Sequence, residues 1–339
     1  MPPDAIRSDE AFRRTLRIAL VMALGLTVAE ARDQPFAFLS ALFAVQLLVK
    51  SPSAPSLAQG VGFAIIMAVS SGVALTLCSM LLDRPVAYLL LLSLIIFGCF
   101  WLLALGRGGP LPQFLLLCNV MIPVLAVQSA DLSTDFAAVM IDAGVIAPLL
   151  VWLAHGLLPA AHVAQAPAQI VSAPQKAIQS AVVAFIVLIL PFVHFMLNPE
   201  AASFVILVTI IGIAVQPPEA RGLAAMGLLL GNLIGGIAAS MAFYLLTLLP
   251  WLGLLFLVTF LAGLILAGAL HSGGKLAPVF GIALSTFLIL FGLGLAPIGD
   301  GSAAAFVSRL VDVALASLYA LGAIVLLGGM SRSPDKAPA

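Results

Sequence analysis

Charge is the scarcest commodity in this sequence: of 339 residues, 14 are Lys or Arg and 14 are Asp or Glu, 8% in all, where ordinary globular proteins carry about 25%. A water-facing surface cannot be made from so few ionic groups. A nucleic-acid-binding surface, which needs concentrated Lys and Arg, is excluded with it. Cysteine is nearly missing too. Cys78, Cys99 and Cys118 each lie inside an apolar run and never in Cys-x-x-Cys spacing, so neither a disulfide framework nor a zinc site is expected. HExxH, GxSxG, Walker A and GxGxxG patterns are lacking, and His155, His194 and His271 have no metal-ligand spacing. The expectation is no metal, no cofactor and no enzymatic activity, so that any work must draw on a gradient or a partner.

What the chain has instead is apolar residues. AVILMFWYC make up 63% of it and the mean hydropathy is +1.23. Cut at charges, Pro/Gly clusters and Asx/Ser runs, it yields twelve segments, roughly 13–31, 36–50, 58–82, 86–106, 111–129, 135–158, 177–197, 201–216, 221–248, 251–270, 276–296 and 303–328. A spanning helix needs about 20 apolar residues. The fold class expected is therefore all-α, a polytopic integral membrane protein of about twelve transmembrane helices. The basic start followed by an apolar run resembles a signal peptide. Glu30, Arg32 and Asp33 stand where a small-residue cleavage site would be, so a retained first span is expected.

With twelve spans both termini share a side, and the Lys/Arg bias decides which. An N-in arrangement puts Arg7, Arg13, Arg14, Arg17, Lys50, Arg107, Lys176, Arg221, Lys275, Arg332 and Lys336 inside, and only Arg32, Arg84 and Arg309 outside. Eleven against three favours N-in, C-in.

At an offset of 165 the chain matches itself. Gly108-Gly109 falls on Gly273-Gly274 and Pro85 on Pro250. Gly62, Ile66, Ser70 and Ala74 fall on Gly227, Gly231, Gly235 and Ala239. With small shifts Asp131 matches Asp300 and Asp142 matches Asp312. The domains expected are two parallel six-helix repeats, 1–160 and 174–330, joined by a short polar linker over 161–173 and followed by a cytoplasmic tail over 331–339.

Candidate functional residues follow from that duplication. The small-residue faces of spans 3 and 9 (Gly62, Ser70, Gly227, Gly231, Gly235) suit close helix packing or a moving interface. Spans 2 and 8 are unusually short, covering about 21–23 Å at 1.5 Å per residue, and short segments at corresponding places in two halves point to a central transport site, or to helices shielded by neighbours or a locally thinned bilayer. Gln46 and Thr209 are their polar side chains, and Asn119 and Asn232 add polar groups in spans 5 and 9. Ionisable residues inside spans are costly. Asp142 and Asp312 occupy matching depths, about seven residues into span 6 for Asp142. Arg309 lies three residues before Asp312 and is able to pair with it, whereas Val139 in its place leaves Asp142 without that partner. The three are candidates for proton coupling or for interfacial charges that snorkel outward. Arg309 is alternatively a clamp for a substrate carboxylate.

The chain resembles the fusaric-acid-resistance and aromatic-acid-exporter group of bacterial inner-membrane proteins. The resemblance rests on Arg13-Arg14-Thr15-Leu16-Arg17 before an Ala-rich span, Pro35-Phe36-Ala37-Phe38-Leu39-Ser40-Ala41, the turn at Ser51-Pro52, the Gly-rich span after Arg221, and Arg309-Leu310-Val311-Asp312. It is a short form, with only a linker and a tail where larger members carry sizeable cytoplasmic segments. The resemblance implies proton-driven export of small aromatic or other hydrophobic organic acids across the inner membrane. The partners it implies are the lipid bilayer, the organic-acid substrate and often a periplasmic adaptor of the membrane-fusion type; a homo-oligomer remains open, and no nucleic acid is expected. The alternative is a non-transporting scaffold or assembly subunit of an efflux or secretion complex, with a passive pore or membrane enzyme behind it.

The charge bias generates a topology prediction. Reporter fusions after Lys176 and after Lys336 read as cytoplasmic, and a fusion within Ser129 to Thr134 reads as external. An external signal at Lys176 breaks the parallel repeat.

Overall fold

The computed structural model describes residues 3–51, 53–160, 174–199, 203–215, 221–274, 276–295 and 303–330, and the regular elements among them are helices with no strand. The expected linker and tail lie outside the described residues. Twelve helices run in order: α1 Pro3–Glu30, α2 Phe38–Lys50, α3 Leu57–Leu81, α4 Pro85–Ala104, α5 Leu111–Gln128, α6 Ala130–Leu157, α7 Pro174–Leu197, α8 Phe204–Ala214, α9 Arg221–Leu248, α10 Leu252–His271, α11 Ala277–Leu295 and α12 Ala303–Met330. Eight of them, α3 to α7 and α9 to α11, are long and apolar enough to cross a membrane over their described residues. The chain is a multi-pass helical membrane protein. α1 is long enough, but Arg13, Arg14, Arg17 and Glu30 interrupt its apolar run. α2 and α8 are short, at 13 and 11 residues, about 20 and 16 Å at 1.5 Å per residue.

The helix ends follow local chemistry. Pro85 opens α4 at its first turn, where a missing N–H costs nothing. Between α4 and α5 the chain reverses through Gly106, Gly108 and Gly109 at φ of 65, 84 and 57°, a left-handed run that only glycine adopts freely.

The helices form two compact units, one of 1–69, 135–168 and 227–310, the other of 70–134, 169–226 and 311–339. Chain order and compactness thus divide the molecule differently, because each unit takes helices from both expected halves.

In the first unit α1 packs on α10 and α2, and α11 packs on the same two helices. Glycines set these approaches. A Cβ on Gly263 of α10 would stand 2.7 Å from the Ala19 Cα of α1, and one on Gly25 would stand 2.9 Å from the Ala41 Cα of α2. α9 lies against α11 through Gly231, whose Cβ would come within 2.7 Å of Ile282, and Gly235, whose Cβ would come within 2.9 Å of Thr286; Gly227 meets Ile282 at an ordinary 3.5 Å. Gly62 does not take part, contrary to expectation: among the described residues nothing lies within 4 Å of its Cβ position. On this stretch of α3 the side chain of Met67 fills a notch at Gly144 of α6, so the small residue that permits the contact sits on the opposite helix.

Arg17 is 1% exposed and is among the largest fully buried side chains of the described chain. Its Nε donates to the Leu158 carbonyl at 2.8 Å and its Nη2 to Glu10 Oε1 at 2.9 Å, with Pro159 O at 3.4 Å. The guanidinium therefore closes the C-terminal carbonyls of α6, where a cation also meets the negative end of the helix dipole.

In the second unit α4 packs on α5 and α7, and α8 packs on the same two helices. Phe97 and Phe185 meet edge to face at 6.1 Å. Tyr88, 2% exposed, places its hydroxyl 3.4 Å from Cys78 Sγ. Ser70 is fully buried at the start of this unit.

The contrast along the small-residue face is testable. Gly235→Ala should lose about 1–3 kcal/mol, because its new methyl meets backbone that cannot move aside. Gly62→Ala should be neutral or gain up to about 1 kcal/mol from helix propensity. Thermal unfolding of the detergent-solubilised variants reads the difference, and equal behaviour of the two refutes the packing assignment.

Candidate functional site

The expected depth of Asp142 changes first. α6 begins at Ala130 rather than at 135, so Asp142 lies twelve residues beyond the helix start. It is also not without a partner. Arg32 Nη1 stands 3.2 Å from Asp142 Oδ2, and Gln34 Nε2 donates to the same oxygen. The partners of Asp142 lie not three residues along the same helix, as Arg309 does from Asp312, but in the connection between α1 and α2.

That connection is built to reach α6. α1 ends with Gln34 N bonded to Ala29 O at 3.1 Å and Asp33 N to Glu30 O at 3.0 Å. This is the paired pattern that closes a helix through one left-handed residue, here Asp33 at φ 50°. Phe36 also has a positive φ, 55°, which is an outlier for an aromatic residue and persists only where surroundings over-determine it. Its ring is buried edge-on against Phe136 at 5.3 Å, and Phe136 and Asp142 both belong to α6. Two contacts from one helix thus hold the strained segment that leads into α2. From there α2 is buried on all sides for two turns, Phe38 to Val45. Such all-round burial belongs to a helix inside a bundle.

The second unit repeats the arrangement with different atoms. Ser203 is the N-cap of α8, its Oγ accepting from Ile206 N at 3.4 Å. The same hydroxyl donates to Asp312 Oδ2 at 2.8 Å. A carboxylate close to a helix N-terminus is favoured by the dipole. Each acidic candidate therefore fastens the entry of a short buried helix, Asp142 for α2 and Asp312 for α8. Arg309 is in α12, but its side chain lies outside the described residues, and so does its expected pairing with Asp312.

The substrate-path candidates are placed apart. Among the described residues no hydrogen bond joins any two of Gln46, Asn119, Thr209 and Asn232. Gln46 is half-buried on α2 and Thr209 is buried on α8. Asn232 of α9 accepts from Thr286 Oγ1 of α11, leaving its Nδ2 without a partner among the described atoms. Asn119, fully buried in α5, gives its Nδ2 to Leu115 O at 2.9 Å while its Oδ1 has no such partner. Four residues on, Pro123 supplies no N–H to the Asn119 carbonyl. Buried polar atoms are nearly always paired by protein or water, so these open valences mark where each unit departs from full pairing among the described atoms. Ser40, Thr259, Ser70 and Ser317 add further buried hydroxyls of the same kind. No group of three His, Cys, Asp or Glu able to hold a metal occurs among the described residues.

Arg32, Gln34 and Ser203 are the functional residues that sequence reading missed. Ser203 carried a signal, a serine immediately before an apolar run, the usual N-cap pattern. Arg32 and Gln34 carried none, since nothing local tells a loop cation which distant carboxylate it meets.

Ser203→Ala removes both of its bonds and should cost about 1 kcal/mol, the usual loss of a helix N-cap. Hydrogen exchange should quicken at Ile206 and Leu207 while α2 is unchanged. Asp142→Ala should do the converse, quickening exchange at Leu39 to Ala41. Uniform acceleration in both helices, or none in either, would show that the carboxylates do not fasten them.

Residues 14–154, from α1 to the last turn of α6, match a family described as "Protein of unknown function (DUF2955)". No curated protein and no solved structure matches the chain.

Proposed function

We propose that the protein is a secondary active exporter of small hydrophobic or aromatic organic acids across the bacterial inner membrane, coupled to the proton gradient. The observation that carries this reading is the recurrence, in each compact unit, of a short buried helix whose entry is fastened by an acidic side chain from a longer one: Asp142 toward α2 and Asp312 toward α8. Short helices at corresponding positions of two halves are a hallmark of central transport sites. The resemblance to the aromatic-acid exporters supplies the substrate class.

The duplication on which the reading leans has support in the packing. Counting six helices on from each member of the α1, α2, α10, α11 set, and back where the count passes twelve, leads to α7, α8, α4 and α5. Their pairings correspond: α1 on α10 as α7 on α4, α1 on α2 as α7 on α8, α11 on α10 as α5 on α4, and α11 on α2 as α5 on α8. In this reading two parallel repeats exchange helices, so that the first two of each half join the fourth and fifth of the other. The N-in, C-in orientation follows from the Lys/Arg bias.

A proton reaching Asp142 discharges it, so that it no longer holds Arg32 by charge. The strained turn at Phe36 is then free to relax and α2 to shift. The pair is half in solvent, with side-chain exposures of 31% and 50%, and an exposed pair contributes no more than about 1 kcal/mol. A contact of that size can be made and broken in a transport cycle. Asp312 acts on α8 in the same way through Ser203. A periplasmic membrane-fusion adaptor would complete the path outward.

Efflux of a radiolabelled aromatic acid from proteoliposomes under an imposed pH gradient tests the reading. Wild type should transport. Asp142→Asn should fold and bind substrate, yet lose gradient-driven transport by tenfold or more. Wild-type rate and pH dependence in Asp142→Asn would remove the coupling role. No efflux by wild type at all, with an adaptor co-purifying, would leave the scaffold reading instead.

A further inference from the structure

Glu30 is the last residue of α1, beyond the apolar run Ile18 to Ala29 and at the start of the strained turn, and it is half-buried there. The donors nearest to it in the chain are directed elsewhere. The amides of Ala31, Arg32, Asp33 and Gln34 donate to the carbonyls of Thr27, Ala29, Glu30 and Ala29 at 2.9–3.2 Å, and the next residue, Pro35, has no N–H. The Arg32 guanidinium and the Gln34 side-chain amide both go to Asp142. The carboxyl of Glu30 makes no hydrogen bond or ion pair among the described residues.

Its surroundings also disfavour negative charge. Glu30 stands in the last turn of α1, at the negative end of the helix dipole. Burial, and after it the like charge of Asp33, favour its protonated form over that of an ordinary glutamate. No cation from the packed helices offsets them among the described residues. α10 carries only His271, which lies beside Thr15 at the other end of α1. α2 carries only Lys50, its last residue, and α11 carries no ionisable group. α6 brings Asp131, Asp135 and Asp142, with His155 in its last turn. Neutral Glu30 therefore belongs to the closed turn. Its contribution to the closure is full below the ordinary glutamate range and is lost as pH rises through the higher value that the folded turn imposes. Asp142 holds Arg32 in the opposite charge state, so the turn is closed while Glu30 carries a proton and Asp142 does not.

We propose that Glu30 is a proton-binding residue of the exporter, loaded from the external side, whose charge state opens and closes the turn between α1 and α2. The proposal rests on the exporter reading and on the N-in orientation, which puts Arg32 and with it this turn outside. That is the side from which protons enter under the gradient that drives export.

The test uses the full chain in proteoliposomes. Dicyclohexylcarbodiimide, which reacts with protonated carboxyls in apolar surroundings, is added across a pH series, and the labelled residues are mapped by tandem mass spectrometry. Near neutral pH Glu30 should label several-fold faster than the exposed Asp83, and its labelling should fall as pH rises. Asp33→Asn, which keeps a residue suited to the left-handed conformation, should move that fall to lower pH because a like charge is gone. Glu30→Gln should bind substrate as wild type does, while its efflux no longer varies with external pH. Labelling of Glu30 no faster than that of Asp83 overturns the proposal, as does a wild-type labelling profile in Asp33→Asn or a wild-type pH dependence of efflux in Glu30→Gln. If Glu30→Gln does not fold, the labelling of wild type and Asp33→Asn decides alone. Efflux on the same preparations separates the two readings: export by wild type without preferential labelling of Glu30 removes only the proton site, and preferential labelling without export removes only the exporter.

Discussion

Hydrocarbon offers no hydrogen bonds, so a chain that enters it must satisfy its backbone from within. Nearly everything in this molecule answers that demand. It makes the regular elements helical, and it places the reversals on glycine and proline. It also decides where irregular backbone is permitted. The turn from Glu30 to Phe38 departs most from helical geometry, with two non-glycine residues at positive φ. It is covered by Phe136 and tied to Asp142. α6 holds this segment by providing both an aromatic surface and a carboxylate.

The same demand explains how charge is used. Arg17 is buried, yet its donors are spent on Glu10 and on carbonyls that the end of α6 leaves open. Asp312 is spent on a capping serine. Even the glycines have a related role: without a covering side chain at Gly231 and Gly235, α9 and α11 come close enough for Asn232 and Thr286 to bond across the interface. Several polar groups inside the described part of this protein are consumed at helix ends and helix crossings, while Asn119, Asn232 and buried hydroxyls such as Ser40 and Ser70 keep atoms without a partner among the described residues.

Much of this was legible in the sequence because hydrophobic runs and breakers are local signals. All twelve helices lie near the segments expected of them, and the shortness of α2 and α8 was visible in the run lengths. The sequence match at an offset of 165, with small shifts, singles out Asp142 and Asp312, and each of them binds a residue just before a short helix. The partners were not. Gln34 and Arg32 lie more than a hundred residues from Asp142, and no pattern within one helix announces a contact of that range. Gly62 misled for a similar reason: a small-residue stripe states that close approach is possible, while the neighbour decides which side provides the notch, here Gly144 for Met67.

The pairing of α1 with α10 carries a consequence for how the protein is made. Thr15 meets His271 across 256 residues of chain, and Ala19 waits for Gly263. At about 5–20 residues per second of synthesis, the first helix is made roughly 10–50 s before its partner exists. During that interval the face of α1 that will seat α10 has no partner from α10. The first six helices cannot reach their final packing as an autonomous unit, and a nascent chain stalled before α10 presents an unfinished surface to membrane quality control.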